Sequence, residues 1–267
     1  MELPKNQWFL SAKKNNGTIP YGCKLGANAS FRLEESFTSL PKNLKSFSFY
    51  FGPESLALIE AFIETDYVPK LECLSVGNSS WELGSGRDYS KLVIELSKKK
   101  YPSLEVLYLG IWELFHNAHA GYGYLGNITD LMSNMRHLKT AYIFGNFELD
   151  RVLELNQLEK LYIKLDDEVT GMNGGHITQN TLDLLLASHF PQLKELVLDL
   201  DVDWDDEDNW AIYSMPETLL DGDVFPKLKS LTVIGNYSKG QLNKLLDSQL
   251  IKRTDFKIQH NITDHTN

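Results

Sequence analysis

One short phrase recurs seven times between Leu44 and Val233: an apolar residue, usually leucine, two variable residues, a second apolar residue, one variable residue and a third apolar residue. Its copies are Leu44/Phe47/Phe49, Leu71/Leu74/Val76, Leu104/Leu107/Leu109, Leu138/Ala141/Ile143, Leu158/Leu161/Ile163, Leu193/Leu196/Leu198 and Leu228/Leu231/Val233. Four of them stand two residues after a proline: Pro69, Pro102, Pro191 and Pro226. A chain that rewrites a strand-sized phrase at intervals of 20 to 35 residues builds one supersecondary unit many times. No single unit is long enough to bury its own apolar side, so neighbours must stack and merge their apolar residues into one core.

Between the phrases, apolar residues recur with helical spacing over 55–65 (Leu56, Ile59, Ile63), 89–99 (Leu92, Leu96), 129–135, 178–188 (Leu182, Leu185, Leu186) and 239–248 (Leu242, Leu245, Leu246). Strand, crossover helix and parallel strand, repeated right-handedly, are the expected unit. Residues 1–40 fit the phrase poorly and read as an N-terminal cap, with Phe31-Arg32-Leu33 as a candidate edge strand. Residues 41–250 carry the seven repeats, 251–258 a degraded capping strand, and the polar 259–267 a frayed tail. The whole of 1–258 is read as one domain.

The phrase has a small or Asn-bearing tail in Val76-Gly77-Asn78, Phe144-Gly145-Asn146 and Ile234-Gly235-Asn236. With that tail it resembles the strand segment of leucine-rich repeats over about four fifths of the chain. The resemblance implies an α/β right-handed solenoid, a horseshoe with a concave parallel β-sheet and convex helices. It also implies protein binding on the concave side, the usual role in that family. In size the chain is similar to small single-domain bacterial cytoplasmic leucine-rich-repeat proteins.

Strand side chains alternate, so if the apolar triplet faces the core, the residues between it face the concave surface. That middle column reads Ser48, Ser75, Tyr108, Tyr142, Tyr162, Val197 and Thr232. Three consecutive tyrosines would form a ladder about 10 Å long at a strand spacing of about 4.8 Å, flanked by Thr140, Phe144, Lys160, Lys164, Glu195 and Asp199. Tyrosine gives contact area, a hydrogen-bonding tip and little rotamer entropy to lose, which suits recognition. It also has good strand propensity, which alone would account for the column.

The longer intervals carry insertions that all follow the strand phrase: 77–87, 110–127, 166–177 and 199–214. Trp81, Trp112, Trp204 and Trp210 fall in them. Repeat insertions on one face are commonly a binding face; the tryptophans either anchor a partner or fold back to plug the loops. The run from Leu198 to Asp208 puts Asp199, Asp201 and Asp203 on one side of an extended segment. It reads as an acidic rim that steers a basic partner, since the turn glycine and terminal glutamate of a calcium loop are missing.

Other chemistry finds little support. Gly121, Gly123 and Gly126 have dinucleotide-motif spacing, but more than ten residues separate them from the preceding strand phrase, where a working motif starts directly after its strand. Gly235 to Gly240 has phosphate-loop spacing with Gln241 where lysine is needed. His116 and His119 lack a nearby third zinc ligand. Two cysteines, Cys23 and Cys73, make no disulfide framework. The net charge of −10 argues against nucleic acid, and no apolar run reaches the ~18 residues of a membrane span. The reading is a cytoplasmic, non-catalytic protein-binding module without cofactor or metal, its partner a protein with a basic surface. A narrower version is an inhibitor or immunity-type protein. A small-ligand binder or enzyme using the 110–127 loop and a scaffold subunit of a larger assembly are the alternatives.

Overall fold

The computed structural model describes residues 11–14, 17–20, 45–51, 56–78, 88–110, 123–165, 177–200, 214–237 and 239–262. β1 (Ser11–Lys14) and β2 (Gly17–Pro20) make an antiparallel hairpin beside the strand that follows. Then come β3 (Ser46–Phe51), α1 (Leu56–Ile63), β4 (Cys73–Asn78), α2 (Ser90–Ser97), β5 (Val106–Leu109), β6 (Tyr124–Asn127), α3 (Thr129–Ser133) and β7 (Thr140–Phe144). The chain continues with β8 (Asn146–Glu148), β9 (Lys160–Lys164), α4 (Gln179–Leu186), β10 (Glu195–Asp199), α5 (Glu217–Leu220), β11 (Ser230–Tyr237), α6 (Lys239–Asp247), α7 (Gln249–Arg253) and β12 (Asp255–Ile262). The result is a mixed α/β fold. Among the described residues no helix is long and apolar enough to cross a membrane.

Eight strands form one sheet in the order β12-β11-β10-β9-β7-β5-β4-β3, every pairing parallel. The register aligns the phrases residue for residue: Phe47, Leu74, Leu107, Ala141, Leu161, Leu196 and Leu231 are successive neighbours across the sheet. All seven are buried, as are the third-position residues Val76, Leu109, Ile143, Ile163, Leu198 and Val233. These columns belong to one core with helix residues such as Ile59, Leu92, Leu96, Leu182 and Leu245. Burying them is the main source of stability, at about 1.5–3 kcal/mol per large side chain.

The prolines explain how each strand is entered. The backbone N–H of the phrase's first leucine closes a tight turn onto the carbonyl three residues back: Leu71 to Val68, Leu104 to Tyr101, Leu193 to Phe190 and Leu228 to Phe225, at 3.0–3.3 Å. Proline is therefore the second residue of the turn, where its fixed φ fits, and the first residue of each turn is a buried apolar anchor. Leu138 and Leu158 close the same turn onto Met135 and Leu155 without proline.

The residue after each first leucine makes a second repeated contact. The carbonyls of Lys45, Glu72, Glu105, Lys139, Glu159 and Lys194 each accept two N–H donors from the start of the next strand, at 2.7–3.1 Å. Their side chains form a charged row: Lys45 pairs with Glu72, Lys139 with Glu105 at 2.8 Å, and Lys194 with Glu159 at 2.7 Å. The Lys194 ammonium holds the Glu159 carboxyl below its ordinary range. The pairs are exposed and contribute little each.

All five expected helices are present within a residue or two, ending inside the expected bounds. Three features differ from expectation. Ser248 accepts from the Ile251 N–H and caps the helix α7, where an apolar alternation from Ile251 suggested strand; the strand itself starts at Asp255. β12 then runs to Ile262 in register with β11, beyond the end expected at Ile258. A second, two-stranded parallel sheet joins β6 to β8, with Asp88 bridged to Tyr124 at its edge.

Candidate functional site

The sheet has a second face, opposite the leucine core, and its residues are those that alternate with the phrase. On β4 these are Cys73 and Ser75, on β5 Val106 and Tyr108, on β7 Thr140, Tyr142 and Phe144, and on β9 Lys160, Tyr162 and Lys164. The register stacks Ser75, Tyr108, Tyr142, Tyr162, Val197 and Thr232 in one row. The tyrosine ladder exists. Tyr108 and Tyr142 lie parallel with ring centroids 4.7 Å apart, Tyr142 and Tyr162 are tilted at 6.0 Å, and Phe144 stacks on Tyr162 at 5.4 Å.

Exposure of the ladder departs from the expected open face. Tyr108 is 1% exposed and Phe144 0%, and with Cys73 they form a second apolar cluster against which Val106, Tyr142 and Tyr162 pack. Ser75 is equally buried. The alternation itself is as expected, because the leucine columns face the other core. What sequence periodicity could not supply is what lies across a face. Tyr142, Tyr162, Val197 and Thr232 are half-buried, so the row opens from β7 toward β11.

Charge on the open part is balanced. Lys160 pairs with Glu195 on the next strand at 2.7 Å, and its ammonium stands 5.8 Å from the centre of the Tyr142 ring. Asp199, expected on the acidic rim, is buried and partnered instead. Its backbone carbonyl accepts from Leu165 at 3.0 Å. Burial raises the Tyr108 hydroxyl above its ordinary pKa, and the neighbouring Tyr142 and Cys73 add to the effect.

Asp201, Asp203, Trp81, Trp112, Trp204 and Trp210 lie outside the described residues, as do His116, His119, Gly121, Cys23 and Phe31. The structure therefore brings together Tyr108, Tyr142, Tyr162 and Phe144 from the sequence-derived set, and places Asp199 beside Lys164 in the register, buried and not on an exposed rim. Sequence reasoning missed the charged row beginning at Lys45, although aligning the seven phrases on their first leucine makes it visible. The chain matches no family model, and neither a curated protein nor a solved structure matches it.

Proposed function

We propose that this protein is a non-catalytic protein-binding module of the leucine-rich-repeat kind. In this reading the single domain is a right-handed solenoid, its eight-stranded sheet lining the concave side and its helices the convex side. The partner docks on the open part of the second sheet face, centred on Tyr142 and Tyr162. The observation that carries the reading is the stacked ladder, which is anchored at its buried end by Tyr108 and Phe144. Rings already held by stacking lose little freedom on binding, and half-buried tyrosines are common binding anchors.

The Lys160–Glu195 pair beside the ladder is self-neutralised, which favours shape and aromatic contact over charge at the centre of the interface. The net charge of −10 supports a partner with a basic surface, drawn in by long-range steering. An inhibitor or immunity-type role, in which the partner is a toxin or enzyme, is the narrower form of the proposal. A cytoplasmic setting belongs to the same reading.

The test starts with capture of the partner from the native host and ends with a titration of the two purified proteins. Tyr142→Ala together with Tyr162→Ala should weaken binding by at least about thirtyfold, the effect of about 2 kcal/mol at an interface anchor. Val152→Ala, on the opposite layer, should leave affinity unchanged. A partner held equally well by the double variant, with its circular dichroism intact, overturns the assignment of this face.

A further inference from the structure

On the layer that packs against the leucine core, away from the ladder, a cavity of about 600 Å³ is lined by Ser133, Arg136, Arg151, Val152, Glu154 and Asn156. Its size is within the range of small-molecule sites. The chain has only five arginines among its 26 basic residues, and two of them line this one cavity. Arginine is the side chain whose planar fork matches a carboxylate.

The two guanidinium groups are held differently. Arg151 is fixed by Asp130 at 2.6 Å and Asp150 at 2.9 Å. Asp150 is itself held by the Asn127 amide at 3.1 Å, so Arg151 is a positioned wall whose charge is already balanced. Arg136 and Glu154 are exposed, and among the described residues neither side chain has an ion-pair or hydrogen-bond partner. Opposite charges that share a cavity without bridging each other leave room for a molecule carrying both. Val152, one of few large apolar residues left exposed among the described residues, at 43%, lies in the same wall and offers contact to an aliphatic group.

We infer that this cavity binds a small aliphatic zwitterion of the α-amino-acid kind. The ligand's carboxylate meets the Arg136 guanidinium, its ammonium meets the Glu154 carboxylate, and its side chain lies on Val152. Asn156 and the fixed Arg151 supply further hydrogen bonds. The site is open, so solvent weakens each contact. A dissociation constant on the order of 1 mM is expected. This site stands on the opposite side of the sheet from the ladder and is independent of the protein-binding reading.

The experiment is ligand-observed saturation-transfer NMR on the full chain. The probe is L-leucine, compared with isocaproate, which lacks the ammonium, isoamylamine, which lacks the carboxylate, and inorganic phosphate. L-leucine should saturate, and each single-charge probe should bind about tenfold more weakly. Arg136→Gln and Glu154→Gln should each weaken L-leucine about tenfold while leaving circular dichroism and melting unchanged, since neither side chain has a partner to lose. Absence of saturable L-leucine binding overturns the inference. So does phosphate or isocaproate binding as tightly as L-leucine, or either variant binding L-leucine like the wild type.

Discussion

The two ends of the second sheet face use the same strand spacing and the same row of residues to different effect. From β4 to β7 that face has a dry centre, with Ser75, Tyr108 and Phe144 buried as deeply as the leucine core and Tyr142 half-buried at its border. From β9 to β11 Tyr162, Val197 and Thr232 stay half-buried. One repeated backbone thus yields a second core at one end and a contact surface at the other. The phrase sets only which way a side chain points; it does not set how deeply that side chain is buried.

The largest test of that contrast is a pair of truncations. Phe144→Ala removes a fully buried ring and should cost about 3–5 kcal/mol in urea unfolding. Tyr162→Ala, one strand away at the open end, should cost about 1–2 kcal/mol, because its ring is only partly removed from water. Equal losses would show that the two ends are equally dry in solution and remove the distinction. A small loss at Tyr162 joined to a large loss of partner affinity would sharpen it.

Next in size is the backbone that carries Phe144. Gly110 follows β5 at φ +79°, and a Cβ built there lies 1.9 Å from the Phe144 carbonyl oxygen. Gly110→Ala should therefore cost more than about 2 kcal/mol, from left-handed strain together with displacement of β7. Gly240 in α6 is exposed, and a Cβ added to it would meet nothing within 4 Å. Gly240→Ala should stabilise by about 0.5 kcal/mol through helix propensity. The same substitution with opposite signs in a thermal melt would separate close backbone approach at the buried end from a plain helix position.

Much of this architecture was legible in the order of residues alone. Three apolar residues at strand spacing put Leu74, Leu107 and Leu161 in a shared column, and helical spacing located α1, α2, α3, α4 and α6. Burial of Tyr108 was not legible, because alternation separates two faces without saying which one is covered. The α5 helix, Glu217–Leu220, is too short to show a period. The β6–β8 sheet joins segments that carry no phrase, and the Arg136 cavity is assembled from the end of α3 and the loop after β8. Such sites arise where non-repeating connections meet, and periodicity is silent there.

Alkaline unfolding offers a finer probe of the dry end. Burial raises the pKa of Tyr108, and also of Tyr101, whose hydroxyl donates to the Leu96 carbonyl at 2.9 Å. In the unfolded chain both titrate near the ordinary value of about 10. Above that pH the unfolded state loses protons that the native state keeps. Their contribution is complete below pH 10 and declines as pH rises, by up to about 1.4 kcal/mol per pH unit for each tyrosine. Tyr108→Phe should flatten the decline measured between pH 10 and 11 relative to wild type. An unchanged slope would mean that the Tyr108 hydroxyl reaches water, and the boundary between the two ends would move from β7 toward β4.

The smallest expected effect is the most selective. Ser75 sits beside Tyr108 in the register, and among the described residues its buried hydroxyl has no hydrogen-bond partner. A desolvated hydroxyl without a partner is a cost to the native state. Ser75→Ala removes the cost and only one atom of packing, so stability should stay level or rise by up to about 1 kcal/mol. Thr232→Val is its counterpart in the same row at the half-open end, where the side chain is only partly buried, and should change stability by less than about 0.5 kcal/mol. A loss of more than about 1 kcal/mol for Ser75→Ala would mean that the hydroxyl is satisfied in solution, as a trapped water would do. The second core would then be wet at β4, and the dry region would shrink to the contact of Tyr108 with Tyr142 and Phe144 with Tyr162.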